Sequence, residues 1–413
     1  MKILLIVNMP WTRELGAPRA NMEIAEEMER RGHVVHRFDV AAAALKSNRV
    51  SAFFQPARFS AQARRFVRKY GREYDVIQAD PGHLPFFKRE MDYDGMLVVR
   101  SNGLLHFHEQ YGRVAKQSSP ASDGPRDKMS SVSGDVLRFV ARQTWGRRQV
   151  ERSFAAADAI VLLNEDERTY VAETLGHTDK AFCLPNGLSE DVFAAFAAHA
   201  TPPEKRQAAQ QVVFIGRWVD IKGSRDLPRL ARGVRQTLPD TRFLILGTGT
   251  GSDAVRADFH AADRPAVTVV PSFKPDALPA LLREATVGVF TSYIEGFGMA
   301  VLEKLAAGIP TIAYDVPGPR EMLRRFDPPA PMTPPGNIPV LTEQVIRLLT
   351  LSPPEYAALS LRARVVADGF RWRDVADNLL RIYQEKQPAR KMVAPPAVLG
   401  TEGRIPPQQR PRT

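Results

Sequence analysis

Eleven short apolar runs, closed by turn residues and spaced by stretches of helical periodicity, constrain this 413-residue chain more than any other feature. Six precede Thr201: KILLIVN, GHVVHRFDV, YDVIQA, GMLVVRS, DAIVLLN and KAFCLPNG. Five follow it: VVFIGR, RFLILGTG, VTVVPS, VGVFTS and IPTIAYD. Near-continuous apolar runs mark strands buried on both faces, and strands alternating with helices make parallel sheets wrapped by helices. Ile24 and Met28, four apart, show the helical spacing between two such runs. The alternation breaks at ATPPEKRQAAQ and then restarts, so the pattern predicts an α/β fold with two Rossmann-like, doubly wound units in tandem.

A chain of this length exceeds one ordinary core, which agrees with two domains. The expected boundaries are 1–195 for the first unit, 196–210 for a linker and 211–365 for the second unit. One more amphipathic helix, FRWRDVADNLLRIYQEK, falls within 366–386. The tail 387–413 is basic and Pro-rich, too poor in apolar surface to order itself, and 115–134 reads as a mobile loop.

No apolar run approaches the ~18 residues of a membrane span. The opening MKILLIVNMP lacks a small-residue cleavage pattern and reads as a strand. One cysteine, Cys183, excludes an intramolecular disulfide and a multi-cysteine zinc site, and suits a reducing cytoplasm. The net charge of +11 is unevenly spread: residues 41–72 hold eight Lys/Arg and no acid. An anionic membrane surface or a phosphorylated substrate suits such a chain. With no zinc-finger spacing or RNA-binding signature, nucleic acid is not an expected partner.

Two stretches could carry chemistry. In VVFIGRWVDIKG a strand ends at Ile215, Gly216 opens a turn, and Arg217 and Lys222 lie five apart before a helix entered at Gly223. Ligands of open α/β sheets bind beyond the carboxyl ends of the strands, where two cations and a helix start would seat a diphosphate. The plainer reading is a solvated basic loop. In YIEGFGMAVLEKLAAGIPTIAYDVPG, Glu295 sits on a loop where Gly296 and Gly298 let backbone approach a ligand, and Glu303 lies about two turns into the next helix. Carboxylates accept hydrogen bonds from sugar hydroxyls. Alone, Glu303 reads better as a surface residue in an i,i+4 pair.

LPNGL, GRWVDIKG, LGTGTG and EGFGMAVLEKLAAGIPTIAYDVPG, in this order and spacing, resemble the retaining nucleotide-sugar glycosyltransferases of family 4, among the glycosyl transferases group 1. RRGHVV, YDVIQA and ADAIVLLNEDERTYVAETLG extend the likeness through the N-terminal half. The resemblance covers residues 1–386 and is strongest over 184–321.

It implies a GT-B fold, two facing Rossmann-like domains with a central cleft, the first for the acceptor and the second for the nucleotide sugar. Arg217 and Lys222 match the pair that binds the donor diphosphate, with Gly216 beside them. Glu295 matches the glutamate against the transferred sugar and Glu303 the one that holds the ribose. Gly296, Phe297 and Gly298 would add backbone contacts. The family retains the anomeric face by front-side attack, needs no metal and uses the nucleotide sugar as a substrate, so no cofactor is expected. Its last helix crosses back to the first domain.

The N-terminal half departs from the pattern. In PWTRELGAPRAN only Gly16 is placed to approach the diphosphate, where the family has a glycine-rich loop. Asn102–Gly103 stands where many relatives carry histidine and glycine; Asn can hydrogen-bond a sugar but cannot act as a base near neutral pH. His106 or His108 is then a candidate substitute. Phe59, Ala63, Phe66, Val67 and Tyr70 share a helical face, with Arg64, Arg65, Arg68, Lys69 and Arg72 largely elsewhere. That segment fits either an anionic lipid surface or an ordinary core-facing helix.

The expected protein is therefore a cytoplasmic, metal-independent retaining glycosyltransferase, peripheral at the inner membrane face. It would serve a sugar- or lipid-linked acceptor in polysaccharide or glycolipid synthesis. The alternative is a catalytically impaired GT-B scaffold that binds nucleotide sugar. LGTGTG lacks the full dinucleotide fingerprint and its spaced acid, which disfavours an NAD-dependent enzyme.

Overall fold

The computed structural model describes residues 1–13, 16–43, 51–104 and 146–386. His106, His108, the 115–134 segment and the 387–413 tail lie outside the described residues.

Each of the eleven apolar runs is a strand. The first sheet holds β1 (Lys2–Ile6), β2 (Val34–Phe38), β3 (Val76–Ala79), β4 (Met96–Arg100), β5 (Ala159–Leu162) and β6 (Ala181–Cys183). They are all parallel, in the order β2-β1-β3-β4-β5-β6. The second holds β7 (Gln211–Ile215), β8 (Arg242–Leu246), β9 (Val267–Val270), β10 (Val287–Phe290) and β11 (Thr311–Ala313). Its strands are parallel too, in the order β11-β10-β7-β8-β9. The order in which strands are added reverses in the first sheet between β1 and β3, and in the second between β7 and β10. Adjacent loops diverge at those two points, leaving a crevice outside the carboxyl ends.

Helix α1 (Gly16–Arg30) buries Ala20, Ile24 and Met28 in one cluster with Ile3 and Leu5 of β1. Helix α2 (Ser51–Tyr70) buries Phe59, Ala63 and Val67 with Phe38, Ile77 and Leu97. Its apolar stripe is thus consumed by the core, while Arg58, Arg65, Arg68 and Lys69 stay exposed. The ordinary reading of that helix holds for its apolar face.

The last helix, Trp372–Lys386, packs Trp372, Val375, Leu379 and Tyr383 into the α1–β1 cluster of the first domain. Each such large side chain is worth about 1.5–3 kcal/mol when fully buried. The chain therefore crosses between domains twice, and the crossings are stitched together. Leu188 N donates to Phe370 O (2.9 Å), and Trp372 N donates back to Leu188 O (3.0 Å). Gly187 permits this: a Cβ there would stand 2.6 Å from the backbone of Arg371 and Trp372.

The first crossing precedes the 196–210 segment read as the linker, because Phe196 on the Glu190–Ala198 helix already packs with Val213 and Leu282 of the second domain. The polar stretch after it is folded, with a helix at Pro203–Ala208. Arg206 on that helix is buried, and its Nη1 donates to Ala307 O (2.6 Å) and Gly308 O (3.0 Å). That places a cation on the carbonyl end of the Met299–Ala306 helix, where the helix dipole favours it. Sequence polarity misled here because one buried arginine looks the same as a solvated one.

Candidate active site

The loops after β7 and β10 meet at the switch point of the second sheet. Residues 220–222 form a single 3₁₀ turn, and Gly223 follows with φ +77°. A Cβ on Gly223 would stand 2.3 Å from Thr291 O, so only glycine lets the two loops touch. Tyr293 N donates to Ile221 O (2.9 Å) and Thr291 Oγ1 to Lys222 O (3.0 Å). The helix expected from Gly223 starts three residues later, at Asp226. Asp226 is buried and accepts both the Tyr293 and Tyr314 hydroxyls at 2.7 Å, which pins the loop leading to Glu295.

On this frame Lys222 Nζ donates to Glu295 Oε2 at 2.7 Å, with both side chains partly exposed. Arg217 is exposed and lies by the loop after β8, its Nε 3.8 Å from where a Cβ of Gly249 would stand. Gly216 gives its amide to Leu246 O (2.9 Å), so its role is the turn. Phe297 is buried and packs at a tilt against Phe370 (ring centroids 5.8 Å), which leaves only its backbone for a ligand. Gly298 adopts φ +94° and heads the Met299–Ala306 helix.

Glu303 is the fifth residue of that helix, one turn in rather than two. It is not a surface residue. It is buried and accepts a hydrogen bond from Arg19 Nη1 of α1, across the cleft, at 3.0 Å. Burial pushes its carboxyl up and Arg19 pulls it back. Next to it Lys304 is fully buried, donates to Val289 O (2.7 Å) and has its pKa pushed down to about 7 by desolvation. Gly288 makes the room: a Cβ there would stand 2.8 Å from Lys304 Cδ.

The first domain supplies the opposite wall. Asn102 and Gly103 follow β4, and a Cβ on Gly296 would lie 2.9 Å from Gly103 Cα and 3.5 Å from Asn102 O. Asn164, which caps the Glu165–Thr169 helix, donates to Gly296 O (2.7 Å). Arg320 Nη1 donates to Asp166 Oδ2 (2.7 Å) and Glu165 N to Glu321 Oε1 (2.7 Å). Gly16 opens α1, is exposed and would accept a Cβ without any contact, so no close approach there demands glycine in this state.

Behind Asn102 lies a buried polar group centred on Asp80, at the end of β3. Asn102 Nδ2 donates to Asp80 Oδ1 (3.0 Å), and His83 Nδ1 stands 3.7 Å from Asp80 Oδ2. Arg100, fully buried over the Trp372 ring, acts on Asp80 electrostatically. Burial pushes the Asp80 carboxyl up to about 7 and His83 down to about 4.

The structure thus brings Lys222, Glu295, Gly296 and Asn102 to one place and Glu303 beside them, with Arg217 at the β8 side. Arg19, Asp80, Arg100 and Asn164 were not singled out from sequence, though two signals were present. Asp80 directly follows a strand at a switch point, and N-E-D-E at 164–167 is a helix-start pattern. Among the described residues no three His, Cys, Asp or Glu side chains are gathered to hold a metal, and no helix is long and apolar enough to cross a membrane.

Residues 197–366 match the family described as glycosyl transferases group 1. A D-inositol 3-phosphate glycosyltransferase of Acidothermus cellulolyticus is 28% identical over 273 residues, covering 60% of this chain and 58% of that protein. The chain therefore aligns with less than two thirds of that relative's length. Among solved structures, sucrose-phosphate synthase from Thermosynechococcus elongatus superposes with a TM-score of 0.65 at 18% identity, covering 93% of this chain and 98% of that one. Anabaena HepE in complex with UDP gives 0.64 at 16%, covering 93% and 100%. At such identities the likeness speaks for the fold alone, and that fold is GT-B.

Proposed function

Residues 197–366 belong to the glycosyl transferases group 1 family, and from that premise we propose that the protein moves a sugar from a nucleoside-diphosphate donor to a hydroxyl-bearing acceptor. The observation that carries this reading is the Lys222–Glu295 pair, 2.7 Å apart at the β7/β10 switch point and opposite Asn102–Gly103. An anion-binding cation and a hydroxyl-binding carboxylate stand side by side there, as a sugar phosphate requires.

Lys222 neutralises Glu295. An arriving diphosphate competes for the ammonium with its larger charge and frees the Glu295 carboxylate for hydroxyls of the transferred sugar. Arg217 and Lys222 then face the phosphate on which negative charge grows as the glycosidic bond breaks. Fixed cations stabilise that charge without reorganising, which is where catalytic rate is gained. Glu303 takes the ribose hydroxyls in exchange for Arg19. Asn102 offers a hydrogen bond from the other wall but no base, so the departing phosphate is assigned the acceptor proton. Retention of configuration, independence of metal and a cell-envelope acceptor belong to this reading as what the family resemblance implies.

The test is a thermal-shift screen with UDP, GDP, ADP and their sugars, followed by turnover of the best donor and NMR of the product anomer. A donor that raises the melting temperature and a product of retained configuration are expected. Indifference to every nucleotide would sink the assignment.

A further inference from the structure

Asn102 is the place where this chain departs most from the pattern it resembles, and its amide is held in an unusual way. An ionised carboxylate only accepts hydrogen bonds, so the end of Asn102 that meets Asp80 Oδ1 at 3.0 Å is its NH₂. The other end, Oδ1, is then fixed by elimination. It is buried and has no partner among the described residues. Asp80 itself is 5% exposed, and its Oδ2 is likewise without a hydrogen bond. Buried acceptors without partners are rare and costly, and each calls for an explanation, a catalytic role among them.

Resting on the glycosyl-transfer reading above, we propose that Asp80 is a positioning residue. It holds the Asn102 amide so that Oδ1, and not the NH₂, faces a hydroxyl of the substrate beside Gly296. The backbone around Asn102 is held by separate anchors. Gly103 N donates to Ser101 Oγ (2.9 Å) and Leu104 N to Glu167 Oε1 (3.0 Å). Losing Asp80 therefore leaves those backbone anchors in place, removes a counter-charge from Arg100 and frees the amide, which can then turn its NH₂ outward. A misplaced hydrogen bond of this kind costs up to about a hundredfold in rate.

The arrangement also sets a pH dependence. Burial pushes the Asp80 carboxyl up to about 7, against the pull of Arg100 from β4, of Asn102 and of Asn21 from α1. Once protonated, Asp80 can donate and the amide loses its fixed sense, so turnover falls as pH drops through about 7. His83, pushed down to about 4, stays neutral in that range, and Arg100, lowered to about 10, stays cationic. Glu167 is also pushed up to about 7 by burial and touches the same loop, so it needs its own control. The sign for stability is opposite to that for activity. A carboxyl whose folded pKa lies above its unfolded one loses its stabilising effect as pH rises through the folded value. At pH 8, Asp80→Asn should keep or raise the melting temperature while lowering turnover.

The experiment compares wild type, Asp80→Asn, Asn102→Ala, the double variant, Asn102→Asp and Glu167→Gln with the donor found by the nucleotide screen. Expected for Asp80→Asn is a ~10- to ~100-fold fall in kcat with unchanged nucleoside-diphosphate thermal shift. The double variant should be no worse than Asn102→Ala, since Asp80 acts through Asn102. Asn102→Asp should be worse than Asn102→Ala, because it sets two carboxylates about 3 Å apart. The acid limb should vanish in Asp80→Asn and survive in Glu167→Gln. Full kcat in Asp80→Asn, multiplied losses in the double variant, or an Asn102→Asp more active than Asn102→Ala would each overturn the inference. The Asn102 comparison stands even if Asp80→Asn does not fold. Wild-type chain with neither turnover nor a nucleotide shift would overturn the parent reading, and this inference with it.

Discussion

On the second-domain wall of the cleft, Arg217, Lys222 and Glu295 keep access to water, and the last two neutralise each other at 2.7 Å. On the first-domain wall, Asp80 and Arg100 are withdrawn from water, and Asp80 Oδ2, Arg100 Nε and Arg100 Nη1 have no hydrogen-bond partner among the described residues. The contrast has a physical meaning. A wall that binds a highly charged diphosphate needs cations that can change partners, and solvent makes that exchange cheap. A wall that must orient a neutral amide needs fixed direction, and desolvation supplies it at the expense of stability.

The sharpest way to break this comparison is at Lys222. Lys222→Ala should lower kcat by about 10²–10³-fold, the usual effect of removing one charge-stabilising group. If Lys222 served only to neutralise Glu295, the double variant Lys222→Ala/Glu295→Gln would recover activity in steady-state assays. We expect it to stay inactive, because the cation is needed at the leaving phosphate.

Arg19 sharpens the comparison, since it joins the walls. Glu303 is pushed up by burial and held down by Arg19, so Arg19→Ala raises its pKa further. The Glu303 carboxylate is then lost at a higher pH as acidity increases, and donor affinity falls with it. Calorimetric titration of the donor from pH 8 to pH 5.5 should show the affinity loss move upward in pH. One pKa unit corresponds to on the order of tenfold in affinity on the acid side. An unchanged profile would mean that Arg19 is only a strut.

The smallest effect concerns the outer face of the first domain. With the apolar side of α2 spent on the core, any attraction to an anionic membrane must come from Arg58, Arg65, Arg68 and Lys69. Co-sedimentation with anionic liposomes should then be weak, vanish near 0.5 M salt as screening shortens the reach of charge, and be lost in Arg65→Glu/Arg68→Glu. Binding that survives high salt would show that apolar insertion contributes after all.

Much of the second wall was readable in the linear chain. Arg217, Lys222, Glu295 and Glu303 lie within two compact segments punctuated by glycines, of which Gly223 packs against Thr291 and Gly296 against Gly103. Of the first wall only Asn102–Gly103 was readable, because Arg19, Asp80 and Asn164 come from α1 and from the ends of β3 and β5, with no motif joining them. Asp80 in YDVIQAD is one acid among 46 until β3 is seen beside β4. Arg206 and Lys304 show the same limit from the other side: nothing in the sequence sets them apart from solvated cations, yet both are buried on backbone carbonyls.

Apolar periodicity by itself determined the eleven strands and their division into two parallel sheets, since a strand buried on both faces can hardly be written any other way. Tertiary structure decided where the chain crosses between domains, which glutamate faces which cation, and which way the Asn102 amide points. Those outcomes depend on distances between residues far apart in sequence, and hydrogen-bond direction and desolvation exist only once the two walls are set opposite each other.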